Sequence, residues 1–298
     1  MRRGLSRRQF LASTAATSTL AALHGGLSAA ADAAGAGGGG GADDLPRIDF
    51  HVHLDGLGIE KAVEYSARRG VRFGIVEHAG TKANQYPVVL STDDDLRRYL
   101  AMLDGKPVYK GVQAEFTNWR TCFSKEMIAR LDYVLSDALT FPLTLPEKDG
   151  AWALLWKSEQ VKIEDRDAFM DRYVEHHVRK ITREPIDILA NVGYLPAVLE
   201  KDFDALWTGA RMKRVIDAAV ACRVAIEINS SFRLPRPAFL KMAKAAGATF
   251  SFGSNGRGDG VGRIEWSLGV ARELGLTRAD LFTPAPPGKK PIEVRTFD

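Results

Sequence analysis

Short apolar runs alternate with amphipathic segments along the chain after residue 46. The apolar runs predict seven β-strands, at residues 48–53, 73–78, 108–116, 133–137, 186–191, 225–229 and 250–254. Segments with apolar residues near helical spacing predict helices at residues 59–69, 93–103, 125–131, 165–181, 211–222, 236–246 and 264–274. Because strands and helices alternate, the pattern is typical of an α/β domain with a mainly parallel sheet, either open or closed into a barrel.

The first 46 residues differ from the rest. Ser6-Arg7-Arg8-Gln9-Phe10-Leu11 matches the twin-arginine pattern, and a weakly apolar run then leads to the small residues Ser28-Ala29-Ala30-Ala31. This arrangement predicts a bacterial export signal at residues 1–31, carried by the twin-arginine translocation machinery, and a Gly/Ala-rich linker at residues 32–46. Residues 47–298 would then form one periplasmic or secreted domain that has no membrane attachment after cleavage.

The net charge of +4 comes from the predicted signal. Residues 1–31 contain four arginines and no acidic residue, so the remaining chain holds 37 basic and 37 acidic residues. This balance, with no strip of interleaved basic and aromatic residues, indicates that the domain does not bind nucleic acid.

Two histidines at the end of the first predicted strand indicate a metal site. Successive side chains of a strand point to opposite faces, so His51 and His53 share one face. Two neutral imidazoles aimed at one point supply half of the ligands that a divalent metal requires. An adjacent pair later in the chain, His176 and His177, lies on a predicted helix, where neighbours do not share a face. We expect that second pair at the surface or the edge of the domain.

Polar side chains also follow the other predicted strands. In parallel α/β folds the carboxyl ends of the strands converge on the ligand site, so these side chains are expected to meet. They are His51, His53, Glu77, His78, Glu115, Asp137, Asn191, Glu227, Asn229, Ser254 and Asn255.

The order and wording of these motifs resemble the PHP-domain (polymerase and histidinol phosphatase) family. The resemblance runs from Asp49 to about Phe282. The motifs that carry it are Asp49-Phe50-His51-Val52-His53, Gly70 to His78, Gly111 to Glu115, Asp187 to Asn191, Ala225 to Asn229, Gly247 to Asn255 and Glu273 to Phe282. It implies a distorted seven-stranded, mainly parallel α/β barrel, a cluster of up to three divalent metals, and hydrolysis of phosphate esters.

The chain departs from the family pattern at several ligand positions. The family has histidine near Asp137, His-Pro-Gly at Asn191-Val192-Gly193, and Ser-Asp-Ala-His at Ser254-Asn255-Gly256-Arg257. By the resemblance, one site keeps the ligands His51, His53, Glu115 and Asn255. A second site rests on Glu115, Asp137 and Asn191, while the third keeps His78 but meets Arg257. We therefore expect one or two ions, of manganese, zinc or magnesium.

The chemistry that the resemblance implies is metal-assisted hydrolysis, performed by an exported phosphoesterase. The metal would activate a water molecule, Asp137 would accept its proton, and His78 would protonate the leaving group. Arg233 and Arg257 are expected to bind a small phosphorylated or acidic substrate.

Two alternatives stay open at this point. The first is a PHP-like protein that has lost its metal cluster and has a binding or structural role without catalytic turnover. The second is an amidohydrolase-type enzyme, because Asp-x-His-x-His opens that family as well. Against the second alternative, the chain lacks the histidines after later strands that such enzymes require.

Overall fold

A computed structural model describes residues 44–83, 86, 89–114, 119–137, 139–143, 152–157 and 160–291. The chain divides into two units, Met1–Gly39 and Gly40–Asp298, and the described residues all belong to the second. The predicted export signal and most of the predicted linker lie outside the described residues and stay predictions. Within the described part of the chain, no helix is long and apolar enough to cross a lipid bilayer.

Seven parallel strands form a nearly closed α/β barrel, which confirms the predicted fold. In spatial order they are β1 (Ile48–Val52), β2 (Arg72–Ala79), β4 (Tyr109–Ala114), β5 (Tyr133–Asp137), β8 (Ile188–Ala190), β9 (Ala225–Asn229) and β10 (Phe250–Gly253). Gly256 joins the last strand to the first. Its N–H donates to the His51 carbonyl and its carbonyl accepts from His53 N–H, both at 3.1 Å.

Eight helices are described between and after these strands: α1 (Ile59–Arg69), α2 (Asp93–Leu103), α3 (Lys125–Ile128), α4 (Arg166–Arg183), α5 (Phe203–Leu206), α6 (Gly209–Cys222), α7 (Pro237–Ala245) and α8 (Glu265–Glu273). Polar side chains cap several of them. Thr92, Asp165 and Thr208 each accept a backbone N–H of the first turn of their helix. Gly70 ends α1 in the left-handed conformation that glycine adopts without strain.

Four short elements were not predicted from the sequence. A two-residue strand, β3 (Val89–Leu90), pairs with β2, and β6 (Thr140–Pro142) pairs antiparallel with β7 (Trp152–Leu154). The fourth element, α5, is a single turn of helix. Each is too short to show a repeat in the sequence, because a period needs several residues to become visible.

The interior of the barrel has an apolar layer towards the N-terminal ends of the strands. Tyr133 fills it, with its hydroxyl donating to the Phe50 carbonyl at 2.8 Å and the two rings packed edge to face. Gly111 makes room for this ring, because a methyl group there would lie 2.5 Å from Tyr133 Cζ. With this end filled by aromatic side chains, the polar residues are confined to the opposite, C-terminal end.

Candidate active site

Period-two alternation places polar side chains directly above the apolar layer. Gln113 follows Gly111 on the same face of β4, Asp137 follows Tyr133 and Leu135 on β5, and Glu227 follows Ala225 on β9. All three polar side chains are buried. Gln113 Nε2 donates to Asp137 Oδ2 at 2.8 Å, so a side-chain hydrogen bond links β4 and β5 across the interior.

His51 lies between two acceptors at the centre of this layer. Its Nδ1 is 2.6 Å from Glu227 Oε1, and its Nε2 is 2.9 Å from Gln113 Oε1. The amide nitrogen of Gln113 already donates to Asp137, so its oxygen must accept from His51. Both ring nitrogens therefore face acceptors, an arrangement that favours the imidazolium form of His51. Although burial alone would lower the pKa of His51, the Glu227 carboxylate raises it above the usual value.

Glu227 is held on its other oxygen as well. Its Oε2 accepts from the backbone N–H of Asn191 at 3.1 Å and from Asn229 Nδ2 at 3.0 Å. Space for the carboxylate comes from Gly253 on β10, where an added methyl group would overlap Glu227 and crowd His51 Cβ. The chain thus builds a fixed carboxylate next to the His51 ring.

His53 differs from His51 although only one residue separates them. It is fully buried, and neither ring nitrogen lies in hydrogen-bond geometry with a described residue. The nearby Gln113 side chain favours the protonated ring, but burial outweighs it. Burial, reinforced by the positive charge of Arg257, holds the pKa of His53 well below its usual value. His53 is therefore a neutral imidazole whose ring centroid lies 5.2 Å from that of the charged His51.

Two further rings, those of His78 and Tyr86, extend the stack from His53. His78 stacks on His53 at 4.8 Å between centroids, and Tyr86 stacks on His78 at 3.6 Å. The Tyr86 hydroxyl lies 3.3 Å from Thr140 Oγ1, so the segment after β2 contacts the hairpin of β6 and β7. These rings shield the imidazole pair from water.

A positive group lies beside the pair. Arg257, in the loop after β10, donates from Nε to Asp55 Oδ2 at 2.5 Å and from Nη1 to Asn255 Oδ1 at 3.1 Å. About one third of its side chain is exposed, so an incoming molecule can reach it. This group can attract an anion towards the imidazoles.

The structure joins some of the predicted site residues and separates others. Asp137 and Asn191 belong to the network, since Asn191 Nδ2 donates to Asp137 Oδ2 at 3.3 Å. Arg233 is instead exposed on the turn after β9 and takes part in none of the hydrogen bonds described above. Glu115 lies outside the described residues.

The predicted metal ligands do not assemble into a metal centre in the described part of the chain. There, no group of three or more His, Cys, Asp or Glu side chains could hold a metal ion. His51 has both nitrogens in hydrogen bonds, and the Asn255 oxygen accepts from Arg257. His53 is the predicted ligand whose donor atoms fit a cation, and Glu115 stays a prediction.

The second histidine pair is not at the surface, so that expectation was wrong. His176 and His177 are both buried. His176 Nε2 contacts the Thr140 carbonyl at 3.0 Å, and His177 Nδ1 contacts the Tyr173 carbonyl at 2.7 Å. Burial lowers the pKa of His177 to about 4, so it packs as a neutral side chain in the layer that contains α4.

Sequence reasoning counted Glu77 and Glu227 among the strand-end side chains without giving them a role, and it did not single out Gln113. The structure places Glu227 and Gln113 in contact with His51. Gln113 could have been found from the alternation along β4, because it shares a face with Gly111. Glu77 has one buried oxygen that lacks a hydrogen-bond partner among the described residues. Burial raises the pKa of Glu77 to about 7.

Comparison with known proteins does not support the family expected from the motifs. No family model and no curated protein match the chain. A solved structure that it does match is an HpcH/HpaI aldolase/citrate lyase family protein from Burkholderia cenocepacia J2315, at 16% identity and a TM-score of 0.33, over 77% of this chain and 93% of that one. A likeness this distant carries no argument about activity.

The PHP resemblance and the phosphoesterase inferred from it are therefore corrected. The motifs that carried the resemblance are strand-end polar residues in a parallel α/β barrel, and many unrelated families share that arrangement. The hydrogen bonds of His51 also leave neither of its nitrogens for the metal that a PHP-type hydrolase would need.

Proposed function

We propose that the protein is an enzyme that moves protons on a small anionic substrate at the C-terminal mouth of the barrel. One observation carries the proposal: two neighbouring buried imidazoles have different hydrogen-bond surroundings, which favour opposite protonation states. His51 has acceptors on both nitrogens, whereas His53 has a partner on neither within the described residues. When their surroundings push the pKa values of two neighbouring titratable groups apart, one group usually acts as the acid and the other as the base.

His53 is the base in this proposal. A neutral, buried imidazole has one unprotonated ring nitrogen, which can accept a proton from a carbon or hydroxyl group of the substrate. The electron pair then stays on the substrate, and a negative charge develops on an adjacent oxygen. Fixed positive groups stabilise such a charge because they need not reorganise during the reaction.

Two such groups flank His53. The His51 imidazolium is fixed by Glu227 and Gln113, and the Arg257 guanidinium lies on the accessible side. We assign Arg257 to the binding of a substrate carboxylate, which its planar donor set can bind with two hydrogen bonds. The reaction class is proton abstraction next to a carboxylate or a carbonyl group, with His78 and Asp137 as further candidates for proton transfer.

A divalent cation at the same place is the second candidate, and the unpartnered nitrogens of His53 favour it. Glu115 would be its expected partner ligand, so that one imidazole nitrogen and one carboxylate would hold the ion. When bound, such an ion would polarise a substrate oxygen. Metal content of protein purified without chelator, compared with that of His53→Gln, tests this candidate separately.

Hydrogen exchange on candidate substrates tests the main proposal. The protein is incubated in D2O with a panel of small keto and hydroxy acids, and NMR follows deuterium incorporation at the carbon next to the carboxylate or carbonyl group. We expect exchange with at least one member of the panel. His53→Gln should abolish it, and Arg257→Gln should weaken substrate binding, whereas Arg233→Gln serves as the matched control.

Two results would contradict the proposal. One is the absence of exchange across the whole panel with folded protein. The other is exchange that persists at the wild-type rate in His53→Gln, since the base would then lie elsewhere.

A further inference from the structure

A cavity lies outside the barrel interior, next to α5, α6 and α7. Its volume is about 230 Å³, and it is lined by Gly193, Phe203, Asp204, Trp207, Met212, Pro235, Arg236, Ala238 and Phe239. None of these residues belongs to the imidazole pair or to its hydrogen-bond network. A cavity of roughly 150 Å³ holds a benzene molecule, so this one has room for a larger side chain with polar groups attached.

The cavity combines an aromatic wall with a charged rim. The rings of Trp207 and Phe239 meet nearly at right angles, 6.3 Å apart, and Phe203 completes this side. Such a surface favours an apolar group, because burying it removes apolar area from water. The wall therefore selects an apolar side chain of moderate size.

The rim carries one positive and one negative side chain. Arg236 stacks on the Phe203 ring, with its guanidinium carbon 3.7 Å from the ring centroid, and donates from Nη1 to Asp204 Oδ1 at 3.2 Å. Asp204 is exposed and Arg236 is partly exposed, and ion pairs in contact with water contribute little free energy. A ligand that brings its own charges can replace this pair at small cost.

We propose that this cavity binds a small zwitterion with an apolar side chain, for which an apolar α-amino acid is the matching chemical class. The ligand carboxylate lies against the Arg236 guanidinium, and the ligand ammonium group lies against the Asp204 carboxylate. The apolar side chain enters between Phe203, Trp207 and Phe239. Phe203 holds the guanidinium plane in place, which prepares it to bind a carboxylate.

Two residues that line this cavity, Gly193 and Pro235, belong to loops that also contribute to the barrel mouth. Gly193 follows Asn191 by two residues, and Pro235 follows Leu234, whose carbonyl accepts from Asn229 N–H at 2.7 Å. Asn191 and Asn229 both hold the Glu227 carboxylate. An occupant of the cavity thus contacts the loops that position the carboxylate next to His51, although the proposal itself does not depend on the proposed function.

Isothermal titration calorimetry of the full chain tests the proposal with L-phenylalanine, L-leucine and L-methionine as probes. Two derivatives remove one ligand charge each: N-acetyl-L-phenylalanine lacks the ammonium group, and L-phenylalaninamide lacks the carboxylate. We expect saturable binding of at least one amino acid at one site per chain. Each derivative of phenylalanine should bind at least about tenfold more weakly, as expected for the loss of one charged hydrogen bond.

Three variants locate the site. Arg236→Gln should weaken binding by about tenfold or more, and Ala238→Trp, at an exposed position of the rim, should block it. Arg278→Gln changes an exposed arginine that does not line the cavity and should leave binding unchanged. Circular dichroism confirms the folding of each variant.

Three outcomes would overturn the proposal. These are no saturable binding of any probe by folded wild-type protein, equal binding of the charged and derivatised phenylalanine, and binding that survives unchanged in Ala238→Trp.

Discussion

Glu77 provides the sharpest test of the electrostatics near the barrel mouth. Only 3% of the residue is exposed, and one of its carboxylate oxygens accepts from the Leu54 N–H at 3.1 Å. The other oxygen is buried with no hydrogen-bond partner in the described part of the chain. Burial therefore raises the pKa of Glu77 from 4.5 to about 7.

The sign and size of the effect on stability follow from this shift. Between pH 4.5 and about 7 the folded protein keeps a proton that the unfolded chain has lost. The free energy of unfolding consequently falls as the pH rises through this window. The loss amounts to about 1.4 kcal/mol per pH unit. Across the whole window the free energy of unfolding therefore falls by about 3 kcal/mol from its value at lower pH. Above it, this group causes no further loss.

Replacing Glu77 by glutamine should remove this loss. Glutamine stays neutral and keeps an oxygen for the Leu54 N–H, so Glu77→Gln should match the wild type near pH 4.5. At about pH 8 it should exceed the wild type by about 3 kcal/mol. Urea unfolding of both proteins across this range, followed by circular dichroism, gives the difference in free energy of unfolding.

The matched control is Glu126→Gln, at an exposed position of α3. Its difference from the wild type should show no comparable rise with pH. The reasoning would be refuted if Glu77→Gln were less stable than the wild type at high pH. A difference that did not change between the two ends of the range would refute it as well.

Three further substitutions test the packing and charge of the barrel interior. Gly253→Ala should cost about 1–3 kcal/mol in urea unfolding, because the added methyl group overlaps the Glu227 carboxylate, and should also abolish substrate turnover. Tyr133→Phe leaves the Phe50 carbonyl without its donor and should cost about 1–3 kcal/mol in the same assay. Arg257→Gln should raise the KM for an anionic substrate about tenfold or more, since it removes a charged hydrogen bond; an unchanged KM would place the anion elsewhere.

The strands of the barrel were predictable because each one is a short apolar run that is visible in the local sequence. Tyr133–Asp137 and Ala225–Asn229 were predicted with the same bounds as in the structure. The closure of the barrel was not predictable in this way. It depends on two hydrogen bonds from the backbone of Gly256, in a loop with no apolar repeat.

The location of the site was predictable from the sequence, but the protonation and hydrogen bonding of its side chains were not. The strand-end positions of His51 and His53 placed the pair at the mouth of the barrel, yet the spacing alone suggested two equivalent metal ligands. Their difference arises from residues far apart in the sequence. Gln113 turns its oxygen to His51 because its nitrogen is engaged by Asp137, and Glu227 approaches from β9. No local pattern reveals which nitrogen of a histidine is satisfied.

The mistaken family assignment has a related cause. A polar residue after each buried strand is what any parallel barrel uses to build a ligand site. Short motifs of that kind predict where a site lies, but they do not determine its reaction. The hydrogen bonds of the individual side chains carry that information.

The most direct test of the account is the protonation state of the two imidazoles. NMR of protein labelled with ¹⁵N-histidine distinguishes protonated from unprotonated ring nitrogens, and His51→Asn and His53→Asn assign the signals. At neutral pH we predict that His51 carries protons on both nitrogens while His53 carries one. A singly protonated His51, or equal titration of the two rings near the ordinary histidine value of about 6.5, would contradict the account.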